Sequence, residues 1–250
     1  DLASATLAAT TLDLGNVRLG QGSTLAVTNA AITDPAFQDS LDVVAASANG
    51  KLTLAAPGNL LAAASGNVGV TANTAGSLAG TVTLGLTSNA NGIVGLENTA
   101  LAGQSFAVTG AAFDYATATT AASLAFGNVR VGANRALNVA NTVTTSAAYQ
   151  DSLDVAATSA NAKLGFANPG RILAGANADV TVTAAAAGSL AGNIALALTS
   201  NANGVTGLSN LGLTGQSVAV TGVAYDLASA TLAATTLDLG NVRLGQGSTL

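Results

Sequence analysis

The chain has 250 residues, a net charge of −5 and a pI near 4.3, with 8% charged and 3% aromatic residues. It contains no Cys, His, Met or Trp, which removes disulfides, thiolate and imidazole metal ligands and the usual general base. There is no basic stripe to neutralise phosphates, so nucleic-acid binding is not expected. No run of 18 apolar residues occurs, so no membrane span is expected from this segment, despite a mean hydropathy of +0.50.

In chain order, the opening DLASATLAATT carries no basic n-region. The segment therefore reads as a mature or internal portion of something longer. LDLGNVRLG follows at Leu12–Gly20. Leu12 and Leu14 share one face, Gly15-Asn16 shifts the phase by one residue, and Val17 and Leu19 return to that face. Such a slip is a bulge signature, and in a sandwich it would let the first strand cross between sheets. Arg18 lies between the two returning apolar residues, so the strand period turns it outward, exposed on its stem or paired with an Asp. Leu25 and Val27 alternate next. Val82, Leu84 and Leu86 alternate with Thr81, Thr83, Gly85 and Thr87, the mark of a half-buried strand. Turn signals at Asn49-Gly50, Pro57-Gly58 and Asn91-Gly92 separate these runs.

The phrase then returns as LAFGNVRVG at Leu124–Gly132 and as LDLGNVRLG at Leu237–Gly245. Asn16, Asn128 and Asn241 mark it, at separations of 112 and 113 residues. QDSLDV recurs at Gln38 and Gln150, AGSLAG at Ala75 and Ala187, LTSNANG at Leu86 and Leu198, and VTGAAFD at Val108 returns as VTGVAYD at Val220. This is duplication of a whole unit. Its length suits one all-β domain of about 100 residues and is too long for a solenoid turn. Roughly seven strands per unit predict tandem immunoglobulin-like sandwiches at 12–114 and 124–226. Residues 1–11 read as a linker or first-strand lead, 115–123 as a short linker, and 227–250 as the linker and first strands of a third, incomplete repeat. The predicted cores hold Leu14, Val27, Val82, Leu84, Leu86 and Val108, and Phe126, Val139, Ile194, Leu196, Leu198 and Val220. The Ala tract at Ala184–Ala187 is stopped by Gly188 and reads as a loop or one turn.

Residues 226–250 repeat residues 1–25 letter for letter. A lone two-strand piece is marginal in water. Leu237, Leu239, Val242 and Leu244 are therefore the expected assembly residues, buried only against a neighbouring copy.

GNVRVG, a strand ending in VxNT, a SNANGxxGL turn and a closing GQSVAVTG-x-x-YDLA together resemble the choice-of-anchor D repeats, relatives of the ASH (Hydin-like) immunoglobulin-type sandwiches. The resemblance covers both copies. It implies a bacterial extracellular repeat protein, held at the cell surface by a separate anchor, with no catalytic residues.

Candidate chemistry is sparse. Asp39 and Asp42, with Asp151 and Asp154 in the second copy, are spaced to contribute to a calcium site if other oxygen ligands joined them. Pairing with the recurrent Arg18, Arg130, Lys51 and Lys163 is the favoured role. Ser47 and Lys51, and Ser159 and Lys163, are four apart, where a Ser-Lys hydrolase needs three. GNVRLGQG has neither dinucleotide nor P-loop spacing. No cofactor and no enzymatic role are expected. The reading is a structural repeat of a bacterial extracellular fibre or surface filament whose partners are neighbouring copies. An adhesin module binding a glycan or protein through loops at one sandwich end is the alternative, and a conspicuous pocket at Tyr115, Tyr149 or Phe37 would favour it.

Overall fold

A computed structural model describes residues 1–247 and Thr249. Ser248 and Leu250, the last letters of the third copy apart from Thr249, lie outside the described residues. The first sandwich runs through β1 (Ala5–Leu7), β2 (Thr11–Arg18), β3 (Gly22–Asn29), β4 (Ser40–Ser47), β5 (Leu52–Ala55), β6 (Gly58–Leu60), β7 (Ser65–Ala72), β8 (Gly76–Ser77), β9 (Gly80–Asn89), β10 (Thr99–Ala100) and β11 (Gln104–Phe113). One sheet has the order β1-β3-β7-β5. The other has β2-β11-β9-β4-β6, with β10 on β9 and β8 on β11.

The second sandwich repeats the plan with β12 (Ala118–Thr120), β13 (Ser123–Arg130), β14 (Asn134–Asn141), β15 (Ser152–Ser159), β16 (Leu164–Ala167), β17 (Asn177–Ala184), β18 (Gly188–Ser189), β19 (Gly192–Asn201) and β20 (Leu211–Tyr225). Its sheets are β12-β14-β17-β16 and β13-β20-β19-β15, with β18 on β20. Where the first copy pairs β4 with β6, the second keeps only a bridge between Leu153 and Ile172. The chain is thus a tandem of immunoglobulin-like β-sandwiches.

Alternation places the cores. Val27, Val68 and Val70 from one sheet meet Leu41, Val43, Val82, Leu84, Leu86 and Val108 from the other. The second core matches with Val139, Val180 and Val182 against Leu153, Ile194, Leu196, Leu198 and Val220. Every predicted core residue is buried. Each core holds one fully enclosed Phe, on adjacent strands of the corresponding sheet. Phe106 on β11 faces the core where the second copy has Val218, and Phe126 on β13 replaces Leu14. Moving one ring from one strand to its neighbour keeps total core volume nearly constant, the kind of change cores tolerate best.

Three expectations are corrected. The lead and linker segments each carry a strand: β1 pairs with β3 and β12 with β14, so each sandwich starts before its repeated phrase. The change of sheet falls at Ala8–Thr10, between β1 and β2, and not at Gly15-Asn16. The phase slip does exist, but it stays inside one sheet. There β2 runs parallel to β11 and the register shifts opposite Gly110. Gly110 has φ +128°, and a Cβ there would sit 2.5 Å from the Gly15 carbonyl oxygen, so the bulge exists to let two backbones meet. Finally, Leu19 is exposed and Arg18 is buried, the reverse of what strict alternation implies.

Residues 226–247 form no strand. Leu237, Leu239, Val242 and Leu244 are exposed and join neither core.

Candidate functional site

The buried Arg18 locates the site. It ends β2 and points out of the first sandwich into the end of the second. Its Nη1 and Nη2 donate to Asp151 Oδ1 and Oδ2 at 3.0 and 2.8 Å. Nη1 also donates to the Asp114 carbonyl and Nη2 to the Ser209 carbonyl, both at 3.3 Å. The guanidinium lies 4.4 Å from the centre of the Tyr115 ring. Arg18 is 7% and Asp151 2% exposed, so this is a desolvated, bidentate pair, the strong form of the interaction.

Each side holds its partner in place. Gln21 Oε1 accepts from the Arg18 amide at 2.9 Å. Asp151 Oδ2 also accepts from Ser200 Oγ at 2.6 Å, and that hydroxyl accepts from the Ala116 amide at 2.8 Å. Asn141, wholly buried at the end of β14, donates through Nδ2 to the Asp151 and Ile172 carbonyls. Its Oδ1 accepts from the Thr117 amide and from Gln150 Nε2. One amide side chain therefore joins the start of the second sandwich, its β14 and the loop that carries Asp151. Asn29 does the same in the first sandwich, holding Ser4, Asp39, Gln38 and Leu60.

The backbone crosses the junction as well. The Asp114 amide donates to the Tyr149 carbonyl at 2.8 Å, and the Asp151 amide donates to the Asp114 carbonyl at 3.1 Å. The Phe113 and Tyr149 rings pack against each other, tilted by 58° with centroids 5.6 Å apart, and Asn16 Nδ2 donates to the Thr206 carbonyl at 3.0 Å. Asp114 Oδ2 is buried with no hydrogen-bond partner. A cavity of about 390 Å3 beside the clasp is lined by Phe113, Gln150, Asp151, Leu173 and Val205 among others.

The four carboxylates singled out from the sequence serve different ends. Asp151 receives Arg18. Asp154 accepts from Asn201 Nδ2 at 2.6 Å and lies 3.7 Å from Arg171 Nε. Asp39 accepts from Ser88 Oγ at 2.7 Å, and Asp42 from Asn59 and Asn89, each at 2.6 Å. Asp39 and Asp42 thus turn to separate partners. Among the described residues no three acidic side chains converge on a point that could hold a metal ion. The Lys51 and Lys163 stems instead run against Gly76 and Gly188; among the described residues neither lysine forms an ion pair. Of the aromatic side chains that would favour an adhesin, Tyr115 and Tyr149 are engaged in the junction, while Phe37 lies beside a cavity of about 280 Å3 at the far end of the first sandwich.

Of the two roles the sequence gives Arg18, an exposed stem or pairing with an Asp, the structure shows the pairing, with Asp151 of the other sandwich as the partner. The available signal was that Arg and Asp recur together in each copy of a chain with only seven Lys and Arg residues. Nothing local in the sequence marks Asn141 and Asn29, whose partners lie on separate segments.

No family model matches the chain, and no curated protein matches it. Among solved structures, the D00-D0 domain of intimin is similar at 12% identity, covering 86% of this chain and 99% of that one, with a TM-score of 0.37. Fibronectin(III)-like modules of Clostridium thermocellum CbhA are similar at 10% identity, covering 88% and 95%, with a TM-score of 0.28. At TM-scores below 0.5 these likenesses assign neither family nor function to this chain. The resemblance to choice-of-anchor D repeats stands on the sequence motifs alone.

Proposed function

We propose that the chain is a structural repeat of a bacterial extracellular fibre or surface filament, in which sandwiches are locked end to end at a fixed angle. The observation that supports this most is the Arg18–Asp151 clasp, because both residues belong to phrases repeated in both complete copies. A flexible string of beads needs no buried, bidentate ion pair between beads, and inter-domain contacts within a chain are otherwise small and mobile. Low charge on the remaining surface leaves little repulsion against lateral packing. The choice-of-anchor D resemblance supports the surface location, and the role is mechanical, with no catalytic step. Leu237, Leu239, Val242 and Leu244 repeat Leu12, Leu14, Val17 and Leu19 and are the assembly residues: a third sandwich forming around them would cover the first three, as it does Leu12, Leu14 and in part Val17, and leave Leu244 exposed as Leu19 is.

Small-angle scattering tests the mechanical part. The wild-type chain should fit one elongated two-domain shape, and Arg18→Ala should require a spread of inter-domain angles. Equal rigidity in the two proteins would remove the basis of the reading. An antiserum against the sandwiches should label intact source cells along extended fibres; label seen only after lysis would overturn the location.

A further inference from the structure

We infer that Arg18 and Asp151 form a mechanical lock, in which the second sandwich holds the far end of the one strand that tension pulls out of the first. The inference rests on the structural-repeat reading and says how a sandwich in such a fibre resists load.

The load path follows from the topology. Force travelling along the chain enters the first sandwich at its first strands and leaves through β11 into Asp114. β1 has only three paired residues on β3, so it yields first and the load falls on β2. β2 runs parallel to β11, with Thr11 opposite Ala107 and Arg18 opposite Phe113. The two strands are therefore pulled at opposite ends of one ladder, β2 from Thr11 and β11 from Phe113. They must slide past each other, and every bond between them is loaded at once. In an antiparallel pair the two pulled ends would lie side by side and the bonds would part singly. The ladder is also short, and its register shifts between Thr109 and Ala111, so a further restraint on sliding matters.

Arg18 supplies that restraint. Sliding carries the Arg18 end of β2 away from the second sandwich, and two side chains tie it there. Arg18 makes the bidentate pair with Asp151 and also reaches the Ser209 carbonyl. Asn16 Nδ2 donates to the Thr206 carbonyl at 3.0 Å. The catch is fixed to the departing strand as well. The Asp151 amide donates to the Asp114 carbonyl, and the Asp114 amide to the Tyr149 carbonyl. β2 and β11 thus end on the same few residues of the second sandwich, and β2 cannot move past β11 without pulling Arg18 off Asp151. Both partners are buried, so a small slide breaks the pair before water can replace it.

Both tethers lie in the GNVR phrase, at Asn16 and Arg18. The phrase returns at Gly127–Arg130 on β13, which is again the parallel partner of the last strand of its sandwich. The trailing end of the load-bearing strand is where such a lock has to sit.

Single-molecule pulling on the full chain tests this. A Gly/Ser segment inserted after Val94, a loop tip that is 99% exposed, lengthens the extension of the first sandwich and marks its unfolding event. With handles at the two chain termini, Asp151→Ala should raise the unfolding rate of the first sandwich at a fixed force about 10- to 100-fold. The chain has no Cys, so Thr24→Cys on β3 gives a second, defined handle. With the first handle moved there, β2 is no longer pulled from its Thr11 end, and Asp151→Ala should change the rate about 3-fold or less. Asp151→Asn keeps the side-chain shape, removes the charge and should show the same contrast between the two geometries, which covers an Asp151→Ala chain that fails to fold. An unchanged rate with terminal handles, or equal ratios in the two geometries, would overturn the inference. Scattering that shows a rigid wild-type junction loosened by Arg18→Ala would then leave the structural-repeat reading standing without the lock.

Discussion

Arg18 and Asp151 lie 133 residues apart in sequence and meet through two hydrogen bonds of 3.0 and 2.8 Å in a nearly dry junction. Removing one partner strands the other. Asp151→Ala should destabilise the closed junction by roughly 3 kcal/mol, the usual cost of breaking a buried pair from one side. The two sandwiches can part and rehydrate Arg18, so the loss is capped by the docking free energy. Denaturant unfolding is expected to separate into two transitions. Replacing both residues by apolar ones of similar volume, as in Arg18→Met with Asp151→Leu, should recover much of the coupling. A double variant no better than the single one would show that packing around the pair, and not charge burial, decides the junction.

Asn141 reaches four separate groups from a wholly buried position. Asn141→Leu has a similar shape and takes this partner from the Thr117 amide and the Asp151 carbonyl, while the Ile172 carbonyl keeps the Leu153 amide and Gln150 Nε2 keeps the Thr142 carbonyl. At about 1–3 kcal/mol for each buried unsatisfied group, the loss should be about 2–6 kcal/mol. Ser200→Ala is a milder version, removing one donor to Asp151 and one acceptor for Ala116. Ser88→Ala makes the same chemical change in the first sandwich, but Asp39 is only partly buried, so thermal unfolding should show a smaller loss there. Equal losses would mean that burial of the carboxylate does not matter.

What could be read in the sequence was what is local or periodic. The core residues follow from alternation alone. The tail shows the limit of local information. The Gly240 amide donates to Asp238 Oδ1 at 2.8 Å as the Gly15 amide does to Asp13 Oδ1 at 3.0 Å, and the Gln246 amide donates to the Arg243 carbonyl as the Gln21 amide does to that of Arg18. These turns form without any sandwich around them, whereas the strands that flank their first-copy counterparts do not. A strand's hydrogen bonds belong to residues far away, such as Val108 opposite Leu12. The junction was hidden for the same reason. Outward from one sandwich can be toward solvent or toward a neighbouring domain, and nothing in a two-residue period distinguishes the two.

Gly110 and Gly222 mark the place where the parallel strand pair comes closest. Their φ angles are +128° and +140°, and an added Cβ would lie 2.5 and 2.7 Å from the carbonyl oxygens of Gly15 and Gly127. Backbone cannot move aside as a side-chain tip can. Gly110→Ala should cost roughly 3 kcal/mol or more, combining strain with a clash. Gly50→Ala, with nothing within 4 Å, is the control and should stay within about 0.5 kcal/mol. Calorimetry on the two variants separates a general glycine effect from this close approach.

Asp13 gives the two sandwiches different responses to acid. Its carboxylate accepts from the Gly15 amide at 3.0 Å and from Thr109 Oγ1 at 2.8 Å. The Gly15 amide, then the Thr109 hydroxyl, hold its pKa below the ordinary carboxylate value. The folded form therefore binds the proton more weakly than the unfolded form, which titrates near about 3.9. The stabilisation is fully present above that value and is lost as pH falls through the lower folded value. The second copy has Ala125 at this position and no such dependence from this site. Asp13→Ala should lower the midpoint of the first sandwich at neutral pH, and the gap from wild type should close as the pH drops below the ordinary carboxylate range. Because Asp13 is exposed the gap should be small, so its pH dependence is the more telling measurement. A gap that stays constant into acid would assign the effect to the loss of a turn-forming side chain and remove the electrostatic account.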